Sequence, residues 1–125
     1  MIVKKLTDAP AVELEAYQNV TKRVVLGAAD GSGEIALRHF SLGPGGASPY
    51  HTHPFPHLVR IEAGTGVIVD PDGAEHPLQP GDYIYVPDNE RHNLRNTGPD
   101  PFDFICIVPA RGEQPACLTP ADDDS

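Results

Sequence analysis

Apolar residues recur along this chain in short alternating bursts, broken by glycine- and proline-rich punctuation, and no stretch carries a convincing long helical period. Residues 19–26, NVTKRVVL, are β-branched and strand-like. Residues 34–42, EIALRHFSL, alternate, which puts Ile35, Leu37, His39 and Ser41 on one face and Ala36, Arg38, Phe40 and Leu42 on the other. The run Gly43-Pro44-Gly45-Gly46 is expected to break that strand. Strands follow at 57–62 and 65–69, joined by a tight Ala63-Gly64 turn into an expected hairpin. Asp70-Pro71-Asp72-Gly73 is the strongest turn signal, and further strands are expected at 75–78, 82–86, 92–96 and 102–108.

The ends are less patterned. Pro10-Ala11-Val12-Glu13 either begins one helical turn or lies extended, and beyond Pro109 the polar, proline-rich chain is expected to lie over the surface. The division is an N-terminal arm at 1–18, one barrel domain at 19–110, and a surface segment with an acidic tail at 111–125. Roughly eight to ten short strands at close spacing predict an all-β antiparallel sandwich or barrel.

Composition narrows the function classes. A chain of 125 residues makes one domain with a proper core, and its 12 glycines and 14 prolines fit many tight turns. A net charge of −9 argues against nucleic acid or anionic membrane as a partner. The first residues, MIVKKLTDAP, hold no apolar signal core, no run approaches the ~18 apolar residues of a membrane span, and the cytoplasm is the expected compartment. Cys106 and Cys117 do not make a disulfide scaffold and are read as two free thiols.

The candidate chemistry lies in 45–64, GGASPYHTHPFPHLVRIEAG, which holds three of the six histidines. His51 and His53 share one face if extended. Pro54-Phe55-Pro56 cannot continue a central strand, so the chain bends and His57 can swing round to face them. That grouping suggests a mononuclear metal site lacking a fourth ligand.

Gly81, Pro87, Asn89, His92 and Asn96 supply it. Their spacing resembles the second motif of the cupin superfamily, G-x5-P-x-G-x2-H-x3-N, with Asn89 where the family has glycine. Asparagine tolerates positive φ, so the turn is expected to survive. Gly45, His51, His53, His57 and Gly64 resemble the first motif, G-x5-H-x-H-x3,4-E-x6-G, with His57 where the family usually has glutamate. The resemblance implies a cupin jelly-roll β-barrel, the double-stranded β-helix, similar to small bacterial single-domain cupins. It implies one divalent transition metal (Fe, Mn, Zn, Ni or Cu) on His51, His53, His57 and His92. His39 and His76 serve as controls, one structural and the other a solvated surface residue.

Four neutral ligands leave the centre near +2, a strong Lewis acid toward anionic oxygen. Imidazole suits all five metals. The expectation is an enzyme acting on a small enolizable or unsaturated molecule, a dioxygenase ahead of a non-redox lyase, isomerase or polyketide-type cyclase. A small-molecule-binding or sensor cupin without catalysis is the remaining reading. Candidate proton-moving groups are Tyr50, Tyr83, Tyr85 and Asp103, with Tyr50, Tyr85 and Phe55 chosen as the catalytic and pocket residues; alternation alone does not say which tyrosines face inward. Arg60 is expected to point away from the metal, and Arg38 is undecided. The family resemblance also implies a homodimer, with 19–26 as a pairing or exchanged strand.

Overall fold

The computed structural model of the protein describes residues 1–14 and 17–113. Cys117 and the acidic tail lie outside the described residues. Nine strands are present among the described residues: β1 (Val12–Glu13), β2 (Gln18–Leu26), β3 (Ile35–Ala47), β4 (His57–Ala63), β5 (Gly66–Val69), β6 (Glu75–Leu78), β7 (Tyr83–Val86), β8 (Asn93–Asn96) and β9 (Phe102–Pro109). Three-residue 3-10 turns at Leu6–Asp8, Ala28–Asp30 and Ala110–Gly112 complete it. No helix among the described residues is long and apolar enough to cross a membrane.

All pairings are antiparallel, in the order β6-β5-β8-β3-β9-β4-β7, with β2 on β3 and β1 on β2. The sheet curls into the jelly roll that the motifs imply. Strand β3 holds its two halves together, because residues 35–42 pair with β9 and β2 while Ala47 reaches Arg95 of β8. The glycine run therefore does not end this strand. It lets the strand turn a corner: Gly45 sits at φ +74, and a Cβ on Gly46 would come within 2.8 Å of the Gly43 carbonyl and 2.9 Å of the Asn19 carbonyl. Asn19, at φ 53, forms the matching irregularity in β2.

The expected hairpin at Ala63-Gly64 is absent. Strand β4 pairs with β7 and β9, whereas β5 pairs with β6 and β8, so the turn carries the chain across the barrel. The true hairpin is β5–β6, closed at Asp70-Pro71-Asp72-Gly73, where Gly73 at φ +84 donates its N–H to the Asp70 carbonyl at 2.9 Å.

Alternation decides what faces inward. Ala36, Arg38, Phe40 and Leu42 of β3 are buried, as are Phe102, Phe104, Cys106 and Val108 of β9 and Val59 and Ile61 of β4. The Phe40 and Phe104 rings stack at 5.2 Å. The opposite face carries Leu58, Arg60, Tyr83 and Tyr85 outward. Strand β2 pairs within its own chain, so the fold does not require its exchange.

Two cations end inside this apolar barrel. The Arg38 side chain is fully buried and that of Lys22 nearly so, and both reach Glu113, at 3.1 and 2.8 Å. Arg38 also donates to Cys106 Sγ at 3.1 Å. The chain after Pro109 was expected over the surface; its first residues instead close the barrel floor, because the buried cations need a carboxylate there. Glu113→Ala is expected to destabilise the protein by about 3–5 kcal/mol, the range for removing one partner of a buried ion pair. Urea unfolding would check this, and Glu113→Asp should recover part of the loss.

Candidate metal centre

The two histidine motifs meet through their backbones. His51 and His92 form an isolated antiparallel bridge, exchanging N–H to carbonyl bonds of 3.1 and 3.0 Å. One turn away, the Asn89 N–H donates to the His53 carbonyl at 2.6 Å. Asn89 stands at φ 62, the left-handed conformation for which asparagine can replace glycine. These bonds bring residues about forty positions apart in sequence into register.

The side chains converge accordingly. His51, His53 and His92 each offer a ring nitrogen within 4.8 Å of the others. The His92 Nδ1–H donates to the Glu90 carbonyl at 3.0 Å, which leaves Nε2 to carry the lone pair into the cluster. His51 and His53 bring their Nε2 atoms to 3.0 Å of each other.

His57 lies beside this group rather than within the nitrogen cluster. Its ring centre is 4.8 Å from that of His53 and 5.2 Å from that of His92. It opens β4 opposite Val86 and is completely buried. Among the described residues its ring nitrogens lack a well-formed hydrogen bond, with only a backbone interaction at Phe55 favouring the protonated form. Burial, then the charge of Arg38 and the neighbouring His53 and His92, push its pKa from 6.5 to about 2.

Phe55 is the wedge that sets these rings. It is buried and stacks on His53 at 5.0 Å and on His57 at 5.2 Å. Beneath it lies Gly112, where a Cβ would come within 2.7 Å of the Phe55 ring. Phe55 therefore positions the imidazoles from below, instead of forming an open pocket wall.

The remaining candidates fall in different places. Tyr50 stands at the rim, its hydroxyl donating to the Asp70 carbonyl and the Arg91 guanidinium 5.5 Å from its ring centre. Tyr83 and Tyr85 project from the outer face of edge strand β7 and are 75% and 63% exposed. Neither belongs to the imidazole cluster, although both help line one wall of a nearby cleft. Asp103 faces outward and accepts a 2.6 Å hydrogen bond from Ser41. His39 shares that outer face, 3.9 Å from Asp103, as a structural histidine. Arg60 points outward to Tyr83 and Glu62, as expected. Arg38 points inward below His57.

The pattern of the chain did not single out Tyr17, whose ring meets His51 edge-on at 6.4 Å, or Glu113. His76 is exposed, as expected, and stands at the rim of a cleft. This cleft of about 290 Å³ opens between edge strands β6 and β7, walled by Asp70, His76, Leu78, Tyr85 and Glu90 and reaching His92. That volume suits a small molecule.

The Cupin_2 family, a cupin domain, matches residues 38–108. The 1-methylthio-D-xylulose 5-phosphate methylsulfurylase of Rhodospirillum rubrum is 31% identical over 121 residues, covering 90% of this chain and 76% of that protein. The polyketide cyclase RemF of Streptomyces resistomycificus has a similar structure, with a TM-score of 0.82 at 26% identity over 88% of this chain and 80% of that one. A cupin-2 domain protein of Rhodospirillum rubrum gives 0.76 at 25% identity, over 87% and 74%.

The buried state of His57 predicts an acid limit. Below about 6.5 the unfolded chain protonates this imidazole and the folded chain does not, so the unfolded state binds more protons and stability falls as pH drops. Urea midpoints of metal-free protein are expected to decline between about pH 7 and 5. His57→Phe should flatten that decline, and an unchanged slope would reassign it.

Proposed function

The chain belongs to the cupin domain family, and from that premise we propose that it is a metal-dependent enzyme acting on a small enolizable molecule by non-redox chemistry of the isomerase, lyase or cyclase kind. The observation that carries this reading is the convergence of three imidazoles, one of which, His92, lines a cleft, with the buried His57 beside them. Buried polar atoms in folded proteins are nearly always satisfied, and the nitrogens of His57 lack a well-formed partner among the described residues. The donor set suits a divalent transition metal held by His51, His53 and His92, with His57 as fourth ligand in the place where most relatives keep a carboxylate.

A divalent cation bound there would supply Lewis acidity toward a substrate oxygen. The rest is the work of the chain. The Glu90 carbonyl fixes the tautomer of His92, Phe55 holds the planes of His53 and His57, and the apolar barrel below them excludes water. The cleft admits substrate from the β6–β7 side, with Leu78 and Val86 offering apolar wall and Asp70 and Glu90 carboxylates near the mouth.

Four histidines favour an oxygenase as much as a cyclase. Similarity to a polyketide cyclase across most of both chains supports the non-redox member of that pair.

Purified protein is expected to take up close to one Fe(II), Mn(II) or Zn(II) per chain by elemental analysis. His92→Ala should weaken uptake by more than the roughly 10–100-fold seen when only an outer-shell partner is lost, while His39→Ala should leave it intact. Turnover of an enolizable substrate with Zn(II) alone would bear out the proposal. Oxygen uptake tied to substrate would move it to the oxygenase class, and binding without turnover would make it a sensor.

A further inference from the structure

His76 is solvent-exposed, as expected, with its side chain 58% accessible, and its place in the sheet is at the rim of the barrel's inner face. In the β5–β6 ladder it lies opposite Ile68, and Ile68 in turn lies opposite Leu94 of β8. Directly paired residues project to the same side of a sheet. Ile68 and Leu94 are buried, and so is Leu78, two residues beyond His76 on the same face. His76 therefore ends a row of inward-facing side chains at the open edge of the barrel. His92 stands two positions before Leu94 on that same face, about 12 Å away along the sheet diagonal. Both line the one cleft.

The partner of His76 is held with unusual care for a residue at a rim. Asp70 Oδ1 accepts the N–H groups of Asp72 and Ala74, each at 2.9 Å, which locks the carboxylate in the β5–β6 turn. Its other oxygen, Oδ2, meets His76 Nε2 at 2.9 Å. The hydrogen bond from His76 first, and the Ala74 amide next, hold this carboxyl below its ordinary range, so it stays ionised. An ionised carboxylate only accepts, so Nε2 must donate and Nδ1 carries the lone pair. The Asp70 carbonyl also receives the Tyr50 hydroxyl, tying this turn to the loop that bears His51 and His53.

We propose that His76, oriented by Asp70, is the general base and acid of the cleft, a catalytic dyad for a weakly acidic substrate whose oxygen lies at the histidine cluster. This rests on the metal-dependent reading given above. Nδ1 takes the proton from an acidic C–H or O–H of the substrate, leaving the electron pair on the substrate as an enolate-type anion. The imidazolium so formed faces Asp70, and the same proton returns to carbon or oxygen of the product, so nothing is consumed. Glu90, Tyr83 and Tyr85 are the other titratable groups in the cleft walls besides His92, while Glu75, the neighbour on β6, is turned away and paired with Arg95.

The test uses the full chain, Zn(II) alone, and then acetohydroxamic acid, a weak acid that binds metals as its anion. Calorimetric titration near pH 7 in two buffers of different ionisation enthalpy counts the protons released when the probe binds. His76→Gln is expected to release up to one more proton per site than the unaltered protein, and Asp70→Asn to shift release the same way. His39→Gln should match the unaltered protein. The imidazole 15N signals of His76 in unaltered protein should move to those of imidazolium on adding the probe, a readout that needs no variant to fold. Equal proton release in both proteins, with Zn(II) and probe bound to each, would overturn the dyad and leave the metal site standing. Failure of the unaltered protein to bind Zn(II) would overturn both.

Discussion

Everything chemical in this molecule depends on two segments from distant parts of the chain being fastened together by backbone. The reciprocal bonds between His51 and His92, with the Asn89 N–H on the His53 carbonyl, fix where three imidazoles begin before any side chain chooses a rotamer. Neither segment belongs to a long strand at that point. Strand β8 starts one residue after His92, and the first motif runs as a loop between β3 and β4. A loop held by a two-residue bridge is short enough to aim three rings inward, where a longer ladder would send alternate side chains outward. The proline bend at 54–56 then drops Phe55 into the interior and restarts the chain as β4 with His57 inside.

The floor of the barrel bears on the same site. Ala110–Gly112 places Gly112 against Phe55, and Phe55 stacks on His53 and His57. The next residue, Glu113, meets Arg38 and Lys22. Packing and charge thus arrive together from one short segment. The absence of a side chain at residue 112 is what lets that segment approach so closely.

Local pattern carried the faces of β3, the outward turn of Arg60, the positive φ of Asn89, and the ligand spacings. Each of these depends on neighbours a few residues apart. The reading failed where the deciding partner is remote. Ala63-Gly64 has the look of a hairpin turn, and only the competing pairs β4–β9 and β5–β8 make it a crossing. Arg38 and Glu113 lie 75 residues apart, and Lys22 and Glu113 lie 91 apart. A buried cation cannot be told from an exposed one without knowing that its carboxylate returns. For His76 the exposure was legible, whereas its alternation with Leu78, which puts it at the rim of the inner face, was not. The polar, proline-containing segment Glu75–Leu78 hid that period.

The charge map gives these pieces a direction. The chain as a whole is strongly acidic, with a net charge of −9, yet its interior near the histidines holds two cations to the one carboxylate of Glu113. With imidazole in place of the glutamate usual in relatives, the deep end of the cleft is electropositive, and the carboxylates of Asp70 and Glu90 stand toward its mouth. An anion approaching from solvent meets repulsion first, whereas a neutral molecule does not. Once a neutral acid has passed the rim and lost a proton to a base placed there, its anion is drawn to the electropositive end and its proton is held beside a carboxylate. Separating the two charges along the cleft favours ionisation of the substrate over return of the proton. Such a field suits a weak acid that enters protonated and reacts as its anion, the chemistry for which a histidine at the rim of the cleft, held by an ionised aspartate, is placed.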